Sequence, residues 1–304
     1  MQVPSHVEYE RAKSVEHALE LLARFGPESR VLAGGHSLIP MMKLRLAQPE
    51  TLVDINGISG LSRITVQDGE LRIGALVRHA QLLASAPAGR RFPILHDAEL
   101  VIADPIVRNW GTVGGSLCQA DPSEDLSAAF GALRATAVIQ GRDGPRLVPV
   151  REFHLGPYET VVAPGELLTE LRIATGPENA KGARAGRGSA YEKVARRVGD
   201  WSVAAAGVAL TLGAAGTVTE AGIGLAAVGA DHFVSVEAED FLRGRPASEA
   251  AFAEAGRIAA GQCQPAADQR GPVDYKRHLT GELTTRALRR AAARARAATP
   301  DARA

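Results

Sequence analysis

Two glycine-rich runs constrain the fold of this chain more than any other feature. The first, AGGHSL at Ala33–Leu38, follows an apolar segment at 30–33 that predicts a strand and enters a predicted helical segment at 37–46. Because glycine has no Cβ, the backbone of such a turn can approach a ligand, and its successive N–H groups can bind an anion. The run lacks the lysine of a P-loop. Taken alone, a tight strand-to-helix turn and a phosphate site explain it equally well.

The second run, NWGTVGGS at 109–116, is dense in glycine and polar residues, which predicts a loop. It offers a second set of backbone N–H groups together with the hydroxyls of Thr112 and Ser116. An acidic segment follows at 120–126 and can accept hydrogen bonds from a ribose, a ribityl chain or a flavin ring. Two anion-binding turns in adjoining lobes suit a long dinucleotide.

The segments around these runs predict mixed α and β structure. Ser14 is a candidate N-cap for a helix that ends at Gly26. The turn sequences DG at 68–69 and RDG at 142–144 each lie between alternating segments, which predicts two hairpins. The remaining predicted elements in this half are strands at 51–55 and 167–174 and helices at 79–85 and 93–102.

Composition changes at 175–189, where TGPENAKGARAGRGS has no apolar periodicity and is rich in glycine and charge. This predicts an exposed connection between two domains. Beyond it, the pattern predicts three strands, at 191–195, 202–212 and 218–228, and three helices, at 238–242, 249–262 and 274–297. The order indicates a meander of strands packed on helices.

Composition excludes several classes of function. Of the 304 residues, 45% are hydrophobic and 23% are charged, which is typical of a folded globular protein. The 35 Lys and Arg and 34 Asp and Glu leave a net charge of +1, which argues against nucleic acid or anionic lipid as a partner. The two cysteines form no Cys-x-x-Cys motif for a metal or cluster. Without an evident leader or a spanning segment, we expect a cytoplasmic protein.

Three further features have ordinary structural explanations. GIGLAA at 222–227 fits a permissive dinucleotide fingerprint but lies inside a strand pattern, which favours small residues packed under a helix. GHSLI at 35–39 lacks the final glycine of a nucleophile elbow, which argues against a serine hydrolase. Cys118 lies in an apolar, glycine-rich stretch, and we interpret it as a small packing residue rather than a redox switch.

Longer motifs resemble a known family. AGGHSLIPMMKLRLAQPETLVDI at 33–55 and IADPIVRNWGTVGGSLCQADPSEDL at 102–126 resemble the two FAD signatures of the flavoprotein (medium) subunit of molybdenum hydroxylases. Within the xanthine dehydrogenase family, the likeness is to the carbon monoxide dehydrogenase medium-subunit type. It continues through GELLTELRI at 165–173 and SAYEKVARRVGDWSVAAAGVALTL at 189–212 to RGPVDY at 270–275, so it covers nearly the whole chain.

The resemblance implies an α+β fold, in which a two-lobed FAD-binding domain of the vanillyl-alcohol-oxidase (PCMH) type precedes a C-terminal domain. That second domain would have a three-stranded antiparallel sheet and a helical cluster. The implied FAD-binding domain is 1–176, with lobes at 1–58 and 59–176, and the C-terminal domain is 177–304.

The resemblance also implies a set of FAD-binding residues. The two glycine-rich runs would bind the pyrophosphate, the acidic residues would bind the ribityl or ring region, and three apolar or aromatic residues would line the isoalloxazine, with Tyr191 shielding one face. The implied residues are Ala33, Gly34, Gly35, His36, Ser37, Leu38, Ile102, Thr112, Val113, Gly114, Gly115, Ser116, Asp121, Asp125, Leu168 and Tyr191. Replacing Asp125 with alanine would then reduce FAD occupancy without abolishing folding.

The implied activity is electron transfer. The family implies FAD as cofactor, with no metal ligand and no catalytic residue in this chain. A molybdopterin-binding large subunit would oxidise the substrate, and a small subunit with two [2Fe-2S] clusters would pass electrons to FAD, which would reduce an external acceptor. The expected assembly is a dimer of heterotrimers. The alternative is an assembly or docking subunit that binds FAD weakly or not at all when isolated. The arginine-rich C-terminal helix is consistent with a solvated helix or with a contact to a partner subunit.

Overall fold

The computed structural model describes residues 3–176 and 186–298. This part of the chain contains four β-sheets and eleven α-helices. Strands and helices do not alternate regularly along the described residues, so the predicted α+β class is confirmed.

The N-terminal part forms a small parallel sheet in which the third strand lies between the first two. Its elements are β1 (Glu8–Arg11), α1 (Val15–Phe25), β2 (Ser29–Leu32), α2 (Leu38–Lys43) and β3 (Thr51–Asp54). The first glycine-rich run joins the carboxyl end of β2 to α2. Ligands of open α/β units bind outside the carboxyl ends of the strands, so this turn is in a position to bind one.

The boundaries of α1 follow from its capping residues. The Ser14 hydroxyl accepts a hydrogen bond from the His17 N–H at 3.1 Å, and Gly26 ends the helix with φ of 69°. Both predicted boundary residues are confirmed. The apolar face that includes Leu21 and Leu22 is buried against the sheet and fixes the position of the helix.

The following lobe contains seven strands. They are β4 (Ile64–Gln67), β5 (Glu70–Gly74), β6 (Thr136–Gly141), β7 (Gly144–Pro149), β8 (His154–Gly156), β9 (Glu159–Thr160) and β10 (Leu167–Ala174). Five of them form an antiparallel sheet in the order β4-β5-β10-β6-β7, and β8 and β9 form a separate pair. Both predicted hairpins, β4–β5 and β6–β7, are confirmed, and β10 joins them.

Six short helices lie between β5 and β6 in the chain. They are α3 (His79–Leu83), α4 (Ala86–Arg91), α5 (Pro93–Val101), α6 (Pro105–Trp110), α7 (Val113–Gln119) and α8 (Asp125–Ala132). The prediction of a loop at 109–116 is wrong, because α6 ends at Trp110 and α7 begins at Val113. Their polar residues are N-caps: the Asp104 carboxylate accepts from the Val107 N–H, and the Thr112 hydroxyl accepts from the Gly115 N–H.

The C-terminal part is a three-stranded antiparallel sheet followed by three helices, as predicted. Its elements are β11 (Gly186–Ala195), β12 (Ser202–Leu212), β13 (Val218–Ala226), α9 (Val236–Leu242), α10 (Glu249–Gln262) and α11 (Val273–Ala297). The first strand begins at Gly186 rather than at 191. A Cβ at Gly188 would collide with the backbone of α11 at Ala291, which explains why small residues in a strand looked like a connection. Residues 177–185 of that connection lie outside the described residues.

Glycines in β13 allow α8 to pack closely on the C-terminal sheet. A Cβ at Gly222 would collide with the carbonyl oxygen of Ala132, and one at Gly224 would collide with that of Ala128. The interpretation of GIGLAA as small residues under a helix is confirmed.

Arginines of the C-terminal helix α11 connect it to α5 of the preceding lobe. Arg290 and Arg294 both form ion pairs with Asp97 in α5, at 3.1 and 2.6 Å, and Arg294 also donates to the Ser189 carbonyl oxygen at 2.6 Å. The interpretation of α11 as a purely solvated helix is therefore wrong at Arg290 and Arg294, because both side chains have partners within the chain.

His154 is a buried histidine that contributes to the pH dependence of the protein's stability. Its side chain lies between the rings of Phe153 and Phe233, and Nε2 lies 3.2 Å from the Leu117 carbonyl oxygen. Burial lowers the pKa of His154 to about 4. Because an unfolded histidine has a pKa of about 6.5, the unfolded state binds more protons below that pH, and stability falls as pH decreases toward 4.

Because His154 takes up a proton on unfolding, we expect it to lower the free energy of unfolding at pH 5 by about 2 kcal/mol relative to neutral pH. Urea unfolding of the His154→Gln variant should therefore lose less stability between those pH values than the wild type. The exposed His96, changed to glutamine, is the matched control and should behave as wild type. An equal pH-dependent loss in His154→Gln and wild type would contradict the assignment.

Candidate functional site

The first glycine-rich turn presents a row of free backbone donors. Gly35 has φ of 77°, which turns the chain from β2 toward α2. In the described part of the chain, no acceptor is paired with the N–H groups of residues 34–38. His36 is exposed and its neighbours are half-buried, so these donors are open to solvent. Consecutive unpaired N–H groups of this kind bind anions.

The second glycine-rich run differs from its prediction, because its N–H groups already donate within the chain. The pairs are Val113 N to Val77 O at 2.9 Å, Gly114 N to Ala75 O at 2.9 Å, Gly115 N to Thr112 Oγ1 at 3.0 Å and Ser116 N to Thr112 O at 3.0 Å. A second nest of free N–H groups is therefore absent at 113–116. The hydroxyls of Thr112 and Ser116 remain as the polar groups that this run can offer a ligand.

The fold nevertheless brings the two runs together. A Cβ at Gly34 would lie 2.9 Å from Gly111 Cα and would collide with the Trp110 carbonyl oxygen. The two backbones therefore touch, and only glycine fits at position 34. The predicted proximity of the two motifs comes from this contact between the lobes.

Arg78 and Asn56 fix that contact, and the sequence analysis missed both. The Asn56 amide donates to the Ala33 carbonyl oxygen at 2.8 Å, and the Arg78 guanidinium donates to Asn56 Oδ1 at 2.6 Å and to the Trp110 carbonyl oxygen. Burial lowers the pKa of Arg78, although Asp54 attracts its charge. Neither residue belongs to a local motif, so only their spatial position reveals them.

Cys118 and Gln119 lie near the end of α7, and Gln119 contacts α2. Gln119 Nε2 is 3.7 Å from the Met41 sulfur, which places α7 against α2. The Cys118 side chain is solvent-exposed, yet the surrounding protein raises the pKa of its thiol to about 12. The thiol is protonated at neutral pH, which is consistent with an unreactive cysteine.

Side chains from α5, α3 and α7 form a continuous series of hydrogen bonds. The Glu99 carboxylate lies 3.0 and 3.1 Å from His79 Nδ1, and His79 Nε2 lies 3.1 Å from Ser116 Oγ. Glu99 and His79 are buried, whereas Ser116 is half-buried. A single histidine at a helix start gives no sequence signal for such a chain.

The acidic segment after α7 is held mainly by its own contacts. Asp121 accepts from the Ser123 N–H at 2.9 Å and from the Tyr158 hydroxyl at 3.1 Å. The Glu124 carboxylate accepts from the N–H groups of Leu126 and Ser127, both at 2.7 Å, and so caps α8. Burial raises the pKa of Glu124 to about 7 despite these bonds. Asp121 is half-buried and is the more accessible of the two carboxylates.

Asp125 and Tyr191 make hydrogen bonds with other residues of the chain. Asp125 is 4% exposed and accepts from Tyr191 Oη at 2.9 Å, Ser202 Oγ at 2.8 Å and Lys193 Nζ at 2.8 Å. The Tyr191 ring is 3% exposed and packs against Gly207. Desolvation, together with Asp125, raises the pKa of Tyr191 well above its usual value. This cluster joins α8 to the C-terminal sheet.

The two implied aliphatic contacts also differ from each other. Ile102 is half-buried after α5, and its carbonyl oxygen accepts from Arg108 at 2.8 Å. Leu168 in β10 is buried in the main hydrophobic core. Ile102 is therefore the more accessible of the two, and Leu168 is a core residue.

These residues fit the binding of a dinucleotide such as FAD. Unpaired N–H groups at 34–38 lie beside the hydroxyl-bearing α7, and the close approach at Gly34 to Trp110 and Gly111 leaves no room for a side chain. For metal ions, residues 3–176 and 186–298 contain no group of three or more His, Cys, Asp or Glu side chains that could bind one. Within the same ranges, no helix has the length and apolar character needed to cross a bilayer.

Comparison with known proteins gives the same picture. The family described as FAD binding domain in molybdopterin dehydrogenase matches residues 5–175, and CO dehydrogenase flavoprotein C-terminal domain matches 189–291. The carbon monoxide dehydrogenase medium chain of Afipia carboxidovorans is 40% identical over 97% of this chain and 99% of its own length. The 6-hydroxypseudooxynicotine dehydrogenase complex subunit alpha of Paenarthrobacter nicotinovorans is 35% identical over 96% and 97%, respectively.

The fold matches as well as the sequence. A chain of the crystal structure of cyanide-inactivated Cu,Mo-CO dehydrogenase superposes with a TM-score of 0.90 and 39% identity, covering 96% of this chain and 99% of the other. The chain therefore belongs to the family of FAD-binding medium subunits of molybdenum hydroxylases and is an oxidoreductase subunit.

Proposed function

We propose that this chain accepts electrons from [2Fe-2S] clusters of a small partner subunit and delivers them to an external acceptor. Bound FAD supplies the redox centre that can take up electrons singly or in pairs. The observation that carries the proposal is the row of unpaired N–H groups at 34–38, open to solvent beside α7. This row of donors supports FAD binding by this chain. The described residues contain no cluster of three or more side chains that could bind a metal ion, so they give no support to substrate oxidation at a metal in this chain.

We assign the binding roles as follows. The turn at Ala33–Leu38 binds the diphosphate through its N–H groups, and Arg78 keeps this turn against Trp110. The hydroxyls of Thr112 and Ser116 act from α7, and Asp121 accepts hydrogen bonds from the ribityl or ring region. The remaining implied residues support the site by packing or by internal hydrogen bonds, among them Gly114, Gly115, Val113, Asp125, Leu168 and Tyr191.

We also propose the division of the chain into residues 1–176 and 177–304. The sheet of β11, β12 and β13 forms its own hydrophobic cluster with α9–α11, separate from the cluster around β5 and β10. The ranges of the two matching families support the same division.

The partners that we propose are a molybdopterin-binding large subunit and a [2Fe-2S] small subunit, assembled as a dimer of heterotrimers. Medium subunits named for carbon monoxide and for 6-hydroxypseudooxynicotine both match this chain over nearly its full length. Their similarity supports the inference that the substrate is selected in the large subunit rather than in this one.

Electron delivery can be tested in the assembled complex. The chain would be co-expressed with the partner subunits encoded beside its gene, and the complex would be reduced anaerobically and mixed with a soluble quinone. We expect the [2Fe-2S] absorbance to reoxidise quickly with the wild-type chain. A complex that contains a chain unable to bind FAD should reoxidise much more slowly, because the route from cluster to acceptor is interrupted. Equal rates in the two complexes would refute the proposed route.

An assembly or docking subunit is the second candidate. The ion pairs of Arg290 and Arg294 with Asp97 show that the C-terminal helix is engaged within the chain, so this helix gives no specific support to docking. The candidates differ in the isolated chain: saturable stabilisation by added FAD, about 2.7 kcal/mol at 100 times the Kd, favours the electron-transfer subunit. No stabilisation, with FAD bound only in the complex, favours the docking subunit.

A further inference from the structure

The chain Glu99–His79–Ser116 is the strongest feature that the proposed function does not yet use. Its three members come from α5, α3 and α7, so tertiary packing alone brings them together. Gly111 makes room for the imidazole, since a Cβ there would lie 2.8 Å from His79 Cδ2. The ring is also anchored through its backbone, because the His79 N–H donates to the Gly111 carbonyl oxygen at 3.2 Å.

The arrangement has the connectivity of a hydrolytic triad, but the helix that carries Ser116 offers no free N–H group for an oxyanion at 113–116. A nucleophilic serine needs nearby backbone N–H groups to stabilise an oxyanion. All the N–H groups at 113–116 already donate to acceptors of the chain. The Ser116 hydroxyl is therefore better suited to bind a ligand than to attack one.

The protonation state of His79 decides which way the Ser116 hydroxyl points. Nδ1 faces the Glu99 carboxylate and carries a proton in either state. When Nε2 is also protonated, it donates to Ser116 Oγ, and the Ser116 hydroxyl can donate its own proton to a ligand. When Nε2 is deprotonated, it accepts the Ser116 proton, and the hydroxyl can offer a ligand only its lone pairs.

The charges around His79 favour its protonated state. Burial alone would lower the pKa of His79, but the Glu99 carboxylate, with smaller contributions from Glu124 and Asp125 beside α8, raises it overall. Burial raises the pKa of Glu99 as well, which works against its charged form, whereas His79 and Arg108 of α6 lower it. The two contacts of 3.0 and 3.1 Å to His79 Nδ1 favour the charged pair. Arg78, next to His79 in the chain, is engaged by Asn56 and Trp110.

We propose that Glu99 and His79 are positioning residues that direct the Ser116 hydroxyl toward an anionic oxygen of the FAD diphosphate, so that deprotonation of His79 weakens FAD binding. This inference rests on the proposed function, because it requires FAD bound at the 34–38 turn beside α7. The half-buried Ser116 lies in the same motif that contacts the free N–H turn. A charge-assisted hydrogen bond to a phosphate is stronger than a neutral one, which gives the switch a measurable effect.

The test is a titration of the apoprotein with FAD, followed by flavin fluorescence, between about pH 6 and 9, where histidine is the side chain that commonly titrates. We expect the wild-type Kd to rise about tenfold across this range, as for the loss of one hydrogen bond to a charged group. Riboflavin, which lacks the diphosphate, should show no such rise. His96→Gln, in α5 and exposed, is the control and should keep the wild-type profile.

The variants separate positioning from a general structural role. Ser116→Ala should bind FAD about tenfold more weakly than wild type at pH 6 and lose the pH dependence. His79→Gln should also lose the pH dependence, and adding it to Ser116→Ala should change the Kd no further, as expected for residues that act through one another. Ser116→Thr keeps a hydroxyl and should therefore show the wild-type pH profile. Its comparison with Ser116→Ala tests the role of the hydroxyl even if His79→Gln does not fold.

Three results would overturn the inference. A pH-dependent Kd that persists in Ser116→Ala would assign the effect to another group. Additive effects of His79→Gln and Ser116→Ala would mean that His79 does not act through Ser116. Absence of FAD binding by the wild-type chain at every pH would refute FAD binding by the isolated chain, and with it the role of this pair.

Discussion

Replacing Gly34 with alanine is expected to lower the affinity of the chain for FAD on the order of 100-fold. The new Cβ would lie 2.9 Å from Gly111 Cα and would overlap the Trp110 carbonyl oxygen, which is backbone and cannot rotate away. The turn must therefore move, and its N–H groups at 34–38 lose their common orientation toward the ligand. The loss corresponds to one or two charge-assisted hydrogen bonds.

The same substitution should also lower the unfolding free energy, by about 1–3 kcal/mol, because the contact between the lobes is overpacked. Gly60→Ala is the matched control, since a Cβ there meets no heavy atom within 4 Å. FAD titration and urea unfolding of both variants would measure the two effects. Wild-type affinity in a folded Gly34→Ala variant would remove the turn from the FAD site.

Replacing Asp125 with alanine is expected to destabilise the whole protein by about 3–5 kcal/mol, rather than only reduce FAD occupancy. Asp125 is the acceptor for three donors, and the loss leaves the Lys193 ammonium buried without a counter-charge. The side chains of Lys193 and Asp125 are 4% and 5% exposed, so water cannot replace the carboxylate. The structure thus changes the expectation from a binding defect to a folding defect.

A double variant separates these two explanations. Asp125→Ala with Lys193→Met removes both charges and should recover a large part of the lost stability, since paired removal is far less costly than stranding one charge. Glu282→Ala, which breaks the exposed pair with Arg286, is the control and should cost less than about 0.5 kcal/mol. Chemical unfolding measures all three. Wild-type stability with weakened FAD binding in Asp125→Ala would favour a direct contact with the cofactor.

Local patterns were enough to predict most of the elements. Ser14 and Gly26 mark the ends of α1 because caps satisfy backbone groups within a few residues. The DG turn at 68–69 and the RDG turn at 142–144 predicted two hairpins, because Asp68, Gly69 and Gly144 adopt positive φ. The error at 109–116 has a local cause too, because N-caps and glycines have the composition of a loop.

Hydrogen-bond partners could not be predicted in this way. The two glycine-rich runs look alike in sequence, yet only the N–H groups at 34–38 remain free, because the backbone at Ala75 and Val77 reaches those of Gly114 and Val113. Likewise, no pattern indicates that Tyr191, Lys193 and Ser202 converge on Asp125. Such pairings depend on which groups meet across long separations in the chain.

The sequence by itself determined the order of most elements, the two glycine-rich runs and the family resemblance, since these depend on residues close together or on whole motifs. The tertiary structure alone decided which donors stay available to a ligand, which carboxylates are consumed inside the protein, and that His79 connects Glu99 to Ser116. The physical reason is that a buried polar group must find a partner, and that partner is set by packing rather than by sequence proximity.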